Sequence, residues 1–261
     1  MKPSVSIIMP ALNEEECLPG SIEGTLKALD ATKTVGELIV VNDGSTDQTM
    51  SHIQQWMKSD SRVSVVVHDH PEGIGRSFWD GFSKARNDVV VMYPGDGEML
   101  PAEMLNYLEL FDQVDVVVPF IVNGVVRSAV RRFLSDGYAW LMNSGLGLKV
   151  RHTNGLVMYR RSILEGVRLR NNGFLYQAEL LLKTVGRGYL FAEVPYFIRP
   201  RMAGQSKASL FKTVLQLRYL WDEARLEKNR KKQIVADSAT YRRLHALGLT
   251  PERKSNQEVT K

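Results

Sequence analysis

Short apolar runs alternate with amphipathic stretches through the first hundred positions. Residues 5–9, 37–41, 63–67 and 89–92 are dominated by Val, Ile and Leu, and the last run is VVVM. Such β-branched runs suit strands buried in a sheet. Between them Leu18, Ile22, Leu26 and Leu29 recur at helical spacing, which predicts a first helix. The turn Asn42-Asp43-Gly44-Ser45-Thr46-Asp47 opens a second, with Thr46 or Asp47 as its N-cap. A third helix over 73–85 is entered through glycines. This strand–helix alternation predicts an α/β fold: a parallel, doubly wound sheet with right-handed crossovers.

The second half is less regular. Strands are predicted over 115–119 and 189–196, an extended piece over 153–159, and a helix over 174–185. A helix over 127–142 carries Arg127, Arg131 and Arg132, and IRPRMAGQSK reads as a polar, basic loop. From Ser209 a helix bears Leu210, Phe211, Val214, Leu215, Leu217 and Trp221 and runs into ARLEKNRKK. Its apolar stripe suits packing on the sheet. The part beyond Leu217, followed by basic residues, also suits a membrane surface or a partner helix, and that is the reading taken for it. After about Ala236 the chain turns polar and reads as a mobile tail. The division is therefore a main domain over 1–208 and a C-terminal helix with tail over 209–261.

Ligands of doubly wound sheets bind at the carboxyl ends of the strands. Asn13-Glu14, Asp43 and the pair Asp96/Glu98 all fall at such ends. Asp96 and Glu98 follow Pro94-Gly95 directly after the fourth strand. Two carboxylates on a tight turn suit Mg²⁺ or Mn²⁺ bridging to a diphosphate. Taken alone, the same turn reads as an acidic cap for a helix starting at Pro101.

Bulk properties narrow the class without selecting a function. The chain has 261 residues, 44% hydrophobic and 24% charged, as in an ordinary globular protein. Its one cysteine, Cys17, excludes an internal disulfide and a zinc cluster and fits a reducing compartment. The opening residues do not read as a signal segment, and no run approaches the ~18–20 apolar residues of a bilayer span. A cytoplasmic protein, peripheral to the membrane, is expected. The net charge of +5 permits attraction to phosphate or anionic lipid, and no nucleic-acid partner is expected. Gly73-x-Gly75 is too short for a dinucleotide fingerprint. His68, His70 and Arg76 read as surface residues.

The ordered set P-A-L-N-E, V-N-D-G-S-T-D, the acidic turn, Y-Q-A-E-L-L-L-K, E-V-P and R-x-x-G-x-S-K resembles the inverting family-2 glycosyltransferases. Within them it is most similar to the dolichol-phosphate-mannose-synthase-like, polyprenyl-phosphate glycosyltransferase branch. The resemblance covers roughly residues 4–207. It implies a GT-A fold, a nucleoside diphosphate sugar donor, a divalent cation and a polyprenyl phosphate acceptor; the membrane-spanning tail that many members carry is not expected here, so no transmembrane helix is expected. It places Pro10, Ala11, Asn13 and Glu14 at the base and ribose, and has Asp43 also contact the nucleoside. It places Asp96 and Glu98 at the metal, Glu179 near the sugar, and Arg201, Ser206 and Lys207 in a loop closing over phosphates.

Two departures from the family pattern bear on the chemistry. The first Asp of the metal turn is Pro94, which cannot ligate a cation, while Glu98 adds a carboxylate where an amide is usual. Arg151 stands at a position often occupied by Asp.

Inverting transfer requires stabilisation of the leaving diphosphate and an in-line nucleophile. A phosphate acceptor is already anionic, so it needs cations, such as Arg131 and the 201–207 loop, more than a base. A hydroxyl of a soluble glycan or small molecule would need a base, for which Glu179 is available. Pro94 and Arg151 also suit a catalytically lapsed homologue that binds nucleotide or a partner.

Overall fold

The computed structural model describes residues 2–95, 100–123, 143, 150–151, 155–198, 220–226 and 234–249. The predicted helix over 127–142 lies outside these residues, as does the basic loop from position 199 onward.

The first half contains β1 (Val5–Ala11), α1 (Leu18–Ala31), β2 (Gly36–Asp43), α2 (Thr49–Ser59), β3 (Val63–His68), α3 (Ile74–Lys84) and β4 (Val89–Met92). These four strands are parallel, in the order β3-β2-β1-β4. The side chains of β1 alternate between two cores, as the strand period of two requires. Ile8 joins Phe78 and Phe82 of α3 on one face, while Ile7 and Met9 join Leu18 and Ile22 of α1 on the other. Helices thus cover both faces. Gly81 lets α3 lie close on β1, since a Cβ there would sit 2.5 Å from Ile8 Cγ2.

From β1 the chain moves to β2 on one side and later to β4 on the other. The crevice between the carboxyl ends of β1 and β4 is therefore the switch point of the sheet. Pro10 is tolerated inside β1 for a related reason. Its carbonyl faces the β4 side and meets Gly95 N–H at 3.4 Å, beyond the last residue of β4. Its missing N–H leaves no ladder partner unsatisfied there.

The second half adds α4 (Pro101–Leu105), a 3₁₀ turn (Asn106–Asp112), β5 (Val116–Ile121), β6 (Met158–Arg160), α5 (Arg161–Leu164), α6 (Tyr176–Thr184), β7 (Phe191–Tyr196) and α7 (Ala239–Ala246). Among the described residues the sheet has seven strands, β3-β2-β1-β4-β6-β5-β7. Short β6 is antiparallel to both of its neighbours, and β5 and β7 are parallel. The sheet is thus mostly parallel, with one reversed strand in the less regular half.

One reading of the C-terminal region is corrected and another is narrowed. Residues 234–246 do not form a mobile tail. Ile234 and Val235 are buried, and α7 docks on Asp115, whose carboxylate accepts from Ala239 N (2.7 Å), Thr240 N (2.9 Å) and Thr240 Oγ1 (2.5 Å). An anion at a helix N-terminus satisfies its free N–H groups, so a polar helix docks without an apolar stripe. Residues 220–226 are helical and turn Leu220, Glu223 and Ala224 into the core, with Trp221 and Leu226 outward. The inward face packs on the protein; only the outward face is available to a membrane or partner. No helix of the described residues is long and apolar enough to cross a membrane.

Candidate active site

The motifs P-A-L-N-E and V-N-D-G-S-T-D form a single structure. The loop after β1 and the loop after β2 are stitched together by backbone N–H groups of each meeting side-chain oxygens of the other. Asn13 Oδ1 accepts from Thr46 N (2.8 Å), and Asn13 N donates to Ser45 Oγ (3.0 Å). Glu14 N donates to Thr49 Oγ1 (3.0 Å), Glu15 N to Asp47 Oδ2 (3.2 Å), and Gln48 N to Glu15 Oε2 (2.9 Å). Asn13 adopts φ 49°, in the left-handed region that Asn tolerates better than most residues. A cleft of about 340 Å³ opens between the loops, lined by Asn13, Glu14, Glu15, Glu16, Cys17, Thr46 and Asp47.

Asp47 acts as the sequence suggests, one residue before the formal cap Gln48: its Oδ1 accepts from Thr49 N at 3.0 Å. Burial pushes its carboxyl upward, but hydrogen bonds from the Thr49 side chain and from Thr49 and Glu15 N–H outweigh this and hold it below the usual range.

Asp43, at the carboxyl end of β2, is buried and turned toward the protein. Its Oδ1 accepts from Glu72 N (2.8 Å) and lies 2.7 Å from His68 Nδ1; its Oδ2 accepts from Gly73 N (3.1 Å). Asp43 thus holds the loop that leads into α3. His68 is not a surface residue, as its loop position suggests, but is 8% exposed. Its Nε2 lies 3.1 Å from Asp80 Oδ2, which also accepts from Arg76 Nε at 2.7 Å. The pairing of His68 with Asp80 across α3 left no mark in the motif pattern. The one trace in the sequence is a polar residue, His68, closing a valine-rich run.

At the switch point Tyr93 N donates to Ile8 O (2.8 Å) and Ser21 Oγ donates to Gly95 O (2.8 Å). On the other side of the acidic turn, Leu100 N donates to Tyr196 Oη at 2.7 Å. Asp96 and Glu98 themselves lie outside the described residues, as do Arg131, Arg201, Ser206 and Lys207. Their flanks are described and converge. Asn123 and Ile198 exchange two hydrogen bonds, from Asn123 Nδ2 to Ile198 O (2.7 Å) and from Ile198 N to Asn123 Oδ1 (3.0 Å). Phe197 N donates to Glu103 Oε2 of α4 (3.1 Å), and Tyr107 Oη to Pro195 O (3.0 Å). The points where the chain leaves for 124–142 and for 199–219 thus lie together, beside the helix that follows the acidic turn.

Glu179 belongs to α6. It is 0% exposed, accepts from Arg170 N and Asn171 N (both 3.0 Å), and lies 2.5 Å from Lys183 Nζ. A carboxylate bonded in this way holds the 170–171 loop. Arg151 has protein partners too. Its N–H donates to Glu193 Oε1 at 2.6 Å, and its guanidinium carbon lies 4.6 Å from the Phe120 ring centroid. Among the described residues no group of three or more His, Cys, Asp or Glu is arranged to hold a metal ion.

A four-stranded nucleotide-type half, an acidic turn at its switch point and a mixed second half define the GT-A class of fold. Residues 6–168 match the model of glycosyl transferase family 2, and the chain belongs to that family. It is 27% identical over 215 residues to a dolichol-phosphate mannosyltransferase of Pyrococcus furiosus, covering 78% of this chain and 58% of that one. It is 27% identical over 219 residues to a polyprenol monophosphomannose synthase of Mycolicibacterium smegmatis, covering 78% and 80%. With an undecaprenyl-phosphate 4-deoxy-4-formamido-L-arabinose transferase of Pseudomonas fluorescens it shares 30% identity over 173 residues, covering 62% and 49%. The chain therefore spans little more than half of the first of these relatives and about half of the third. Among solved structures, glucosyl-3-phosphoglycerate synthase from Mycobacterium tuberculosis in complex with Mn²⁺, UDP-glucose and phosphoglyceric acid superposes with a TM-score of 0.63 at 21% identity. That superposition covers 86% of this chain and 79% of that one, a likeness of fold.

Proposed function

We propose that this chain transfers a hexose from a nucleoside diphosphate sugar to a polyprenyl phosphate, with inversion, at the cytoplasmic face of a membrane. The observation that carries the reading is the meeting of three loops at the carboxyl edge of the sheet: the stitched loops after β1 and β2, and the flanks of the acidic turn at the β1/β4 switch point. The names of the relatives in the same family support a polyprenyl phosphate as the acceptor class.

In this reading Pro10, Ala11, Asn13 and Glu14 face the base and ribose, and Asp43 supports them from behind through the 72–73 loop. Asp96 and Glu98 hold a Mg²⁺ or Mn²⁺ ion. Two hard carboxylates on a turn tied down at both ends, by Ser21 and Tyr196, fit such a cation. When bound, it supplies positive charge against the leaving diphosphate.

Arg131, Arg201, Ser206 and Lys207 hold the phosphates of donor and acceptor. An acceptor phosphate oxygen attacks the anomeric carbon from the side opposite the diphosphate. Because that oxygen is already anionic, no general base is needed, which agrees with the pairing of Glu179 to Lys183. Residues 1–208 carry the transfer chemistry, and the outward side of the 220–226 stretch, where Trp221 and Leu226 stand, meets the membrane surface or a membrane-protein partner.

Calorimetric titration with GDP and with UDP, each with Mn²⁺ and with EDTA, tests the donor site. Tight binding of one nucleotide that EDTA abolishes is the expected result. Binding indifferent to EDTA would remove the cation from the reading, and no binding of either nucleotide would leave the lapsed homologue that Pro94 suggests. Product formation on polyprenyl phosphate in liposomes, and not on soluble glycans, tests the acceptor.

A further inference from the structure

A line of polar contacts, buried at its Glu179–Lys183–Glu223 end, runs from the end of β2 to the C-terminal helical stretch. Asp43 accepts from Gly73 N at 3.1 Å, and Gly75 N donates to Asn172 O at 2.9 Å. The two loops touch so closely that a Cβ on Gly73 would lie 2.6 Å from Asn172 O, and one on Gly75 would lie 2.4 Å from Asn171 O. Asn171 N in turn donates to Glu179 Oε2 at 3.0 Å. Lys183 Nζ lies 2.5 Å from Glu179 Oε1, 2.6 Å from Arg168 O and 3.0 Å from Glu223 Oε1. Arg170 Nη1 is 3.8 Å from Glu223 Oε2. Glu179, Lys183 and Glu223 are 0%, 2% and 3% exposed.

Three ionised groups in a core are an expensive way to join two helices, since apolar residues of like volume do so at least as well. They differ from an apolar contact in one respect. A satisfied network of charges has few alternative geometries, so displacing one member disturbs the next. Lys183 is the shared member. It neutralises the carboxylate that holds the 170–171 loop, and it is also the cation on which Glu223 of the 220–226 stretch is seated.

We infer that Lys183 is a positioning residue for donor binding, fixing the 170–173 loop against the glycine-entered start of α3 and making that geometry depend on the seating of residues 220–226. The inference rests on the reading of the β2 edge as the donor site. It assigns a role to a part of the chain that lies beyond the family match, which ends at residue 168. A change in the seating of the 220–226 stretch reaches Gly73, and so the donor, through Lys183. By reciprocity, donor binding steadies that stretch.

Hydrogen exchange and donor kinetics on the full chain test this with Glu223→Gln, which keeps the shape and one acceptor. Exchange at Gly73, Gly75 and Asn171 in the ligand-free variant accelerates roughly twofold to thirtyfold, the range spanned by couplings of this kind, while β1 amides are unchanged. Donor KM rises by a similar factor, and kcat stays within about twofold. Lys183→Met takes from two buried carboxylates the cation they share and is unsuited to the test. A triple variant, Lys183→Met with Glu179→Gln and Glu223→Gln, removes all three charges and gives the same KM effect with the fold intact.

Acceleration confined to 220–226, or spread evenly over the chain with a fall in Tm and no change in KM, overturns the inference. Failure of the wild-type chain to bind UDP or GDP overturns the donor reading. The ligand-free exchange still decides whether the contacts transmit.

Discussion

The hydroxyl of Ser21, one turn into α1, donates to the carbonyl of Gly95 at 2.8 Å. This contact ties the N-terminal half of a helix that follows β1 to the chain leaving β4, across the switch point of the sheet. It fixes one end of the acidic turn, as Tyr196 Oη fixes the other through Leu100 N.

Ser21→Ala removes a donor from a buried carbonyl and costs about 1 kcal/mol of stability, read as a lower urea midpoint with an unchanged m-value. A similar loss in the placing of Asp96 and Glu98 raises the Mn²⁺ concentration needed for half-maximal nucleotide binding roughly fivefold. A variant that loses stability and keeps its Mn²⁺ requirement would separate the turn from the metal.

Asn13 contributes both a backbone conformation and a pair of hydrogen bonds, and two substitutions divide them. Asn13→Gly keeps the φ of 49° without strain and loses the amide that accepts from Thr46 N. Asn13→Ala loses the amide and also carries the left-handed strain, of order 1 kcal/mol more. Both weaken nucleotide binding, and thermal unfolding ranks wild type above Gly above Ala. Calorimetry on the two variants checks whether the affinity loss is common to both, as a side-chain contact to the stitched loops requires.

The carboxyl of Asp47 is held below its ordinary value in the folded chain, so the folded state binds this proton more weakly than the unfolded state does. Its contribution is present above the unfolded carboxylate range and is lost as pH falls through the lower, folded value. Asp47→Asn is therefore less stable than wild type at neutral pH, and the gap narrows in acid, below about pH 4. Urea melts at neutral pH and at pH 3 measure the two gaps; an equal gap at both would contradict the assignment.

The four parallel strands were legible because each is a β-branched run bounded by turn residues, and a buried parallel strand needs little else. Their ends were less so. β2 runs on to Asp43 because Asp43 pairs with His68 of β3, a ladder contact that composition does not report. Asn13, Glu14 and Asp43 were placed at the carboxyl edge of the sheet, where they stand, yet their partners were hidden. Asn13 meets Thr46, and Asp43 meets Gly73, through backbone groups that every residue carries. Ser21 did leave a trace, a polar residue within the apolar face of α1, where Leu18, Ile22 and Leu29 are buried. Glu179 reads as a site carboxylate from its motif, but the motif did not report that Lys183 one turn on pairs with it and also with Glu223. α7 escaped the pattern because a carboxylate far away in the sequence seats it.

That carboxylate supplies the last prediction. Asp115 is fully buried, lies 2.8 Å from Arg160 Nε, and accepts from Ala239 N, Thr240 N and Thr240 Oγ1. Arg160 also donates to Phe111 O. Asp115→Asn leaves the guanidinium with an uncompensated charge and replaces an anion at the N-terminus of α7 with a neutral amide. Breaking a buried pair in this way costs on the order of 3–5 kcal/mol, and the helix-end interaction adds part of a kilocalorie. Asp115→Asn with Arg160→Met removes both charges and recovers much of the pair term, so the double variant is more stable than the single one. Hydrogen exchange localises the remainder: amides at Ala239 and Thr240 stay fast in the double variant, because α7 still lacks its anion. Slow exchange at both positions in the double variant would show that α7 is held by packing alone.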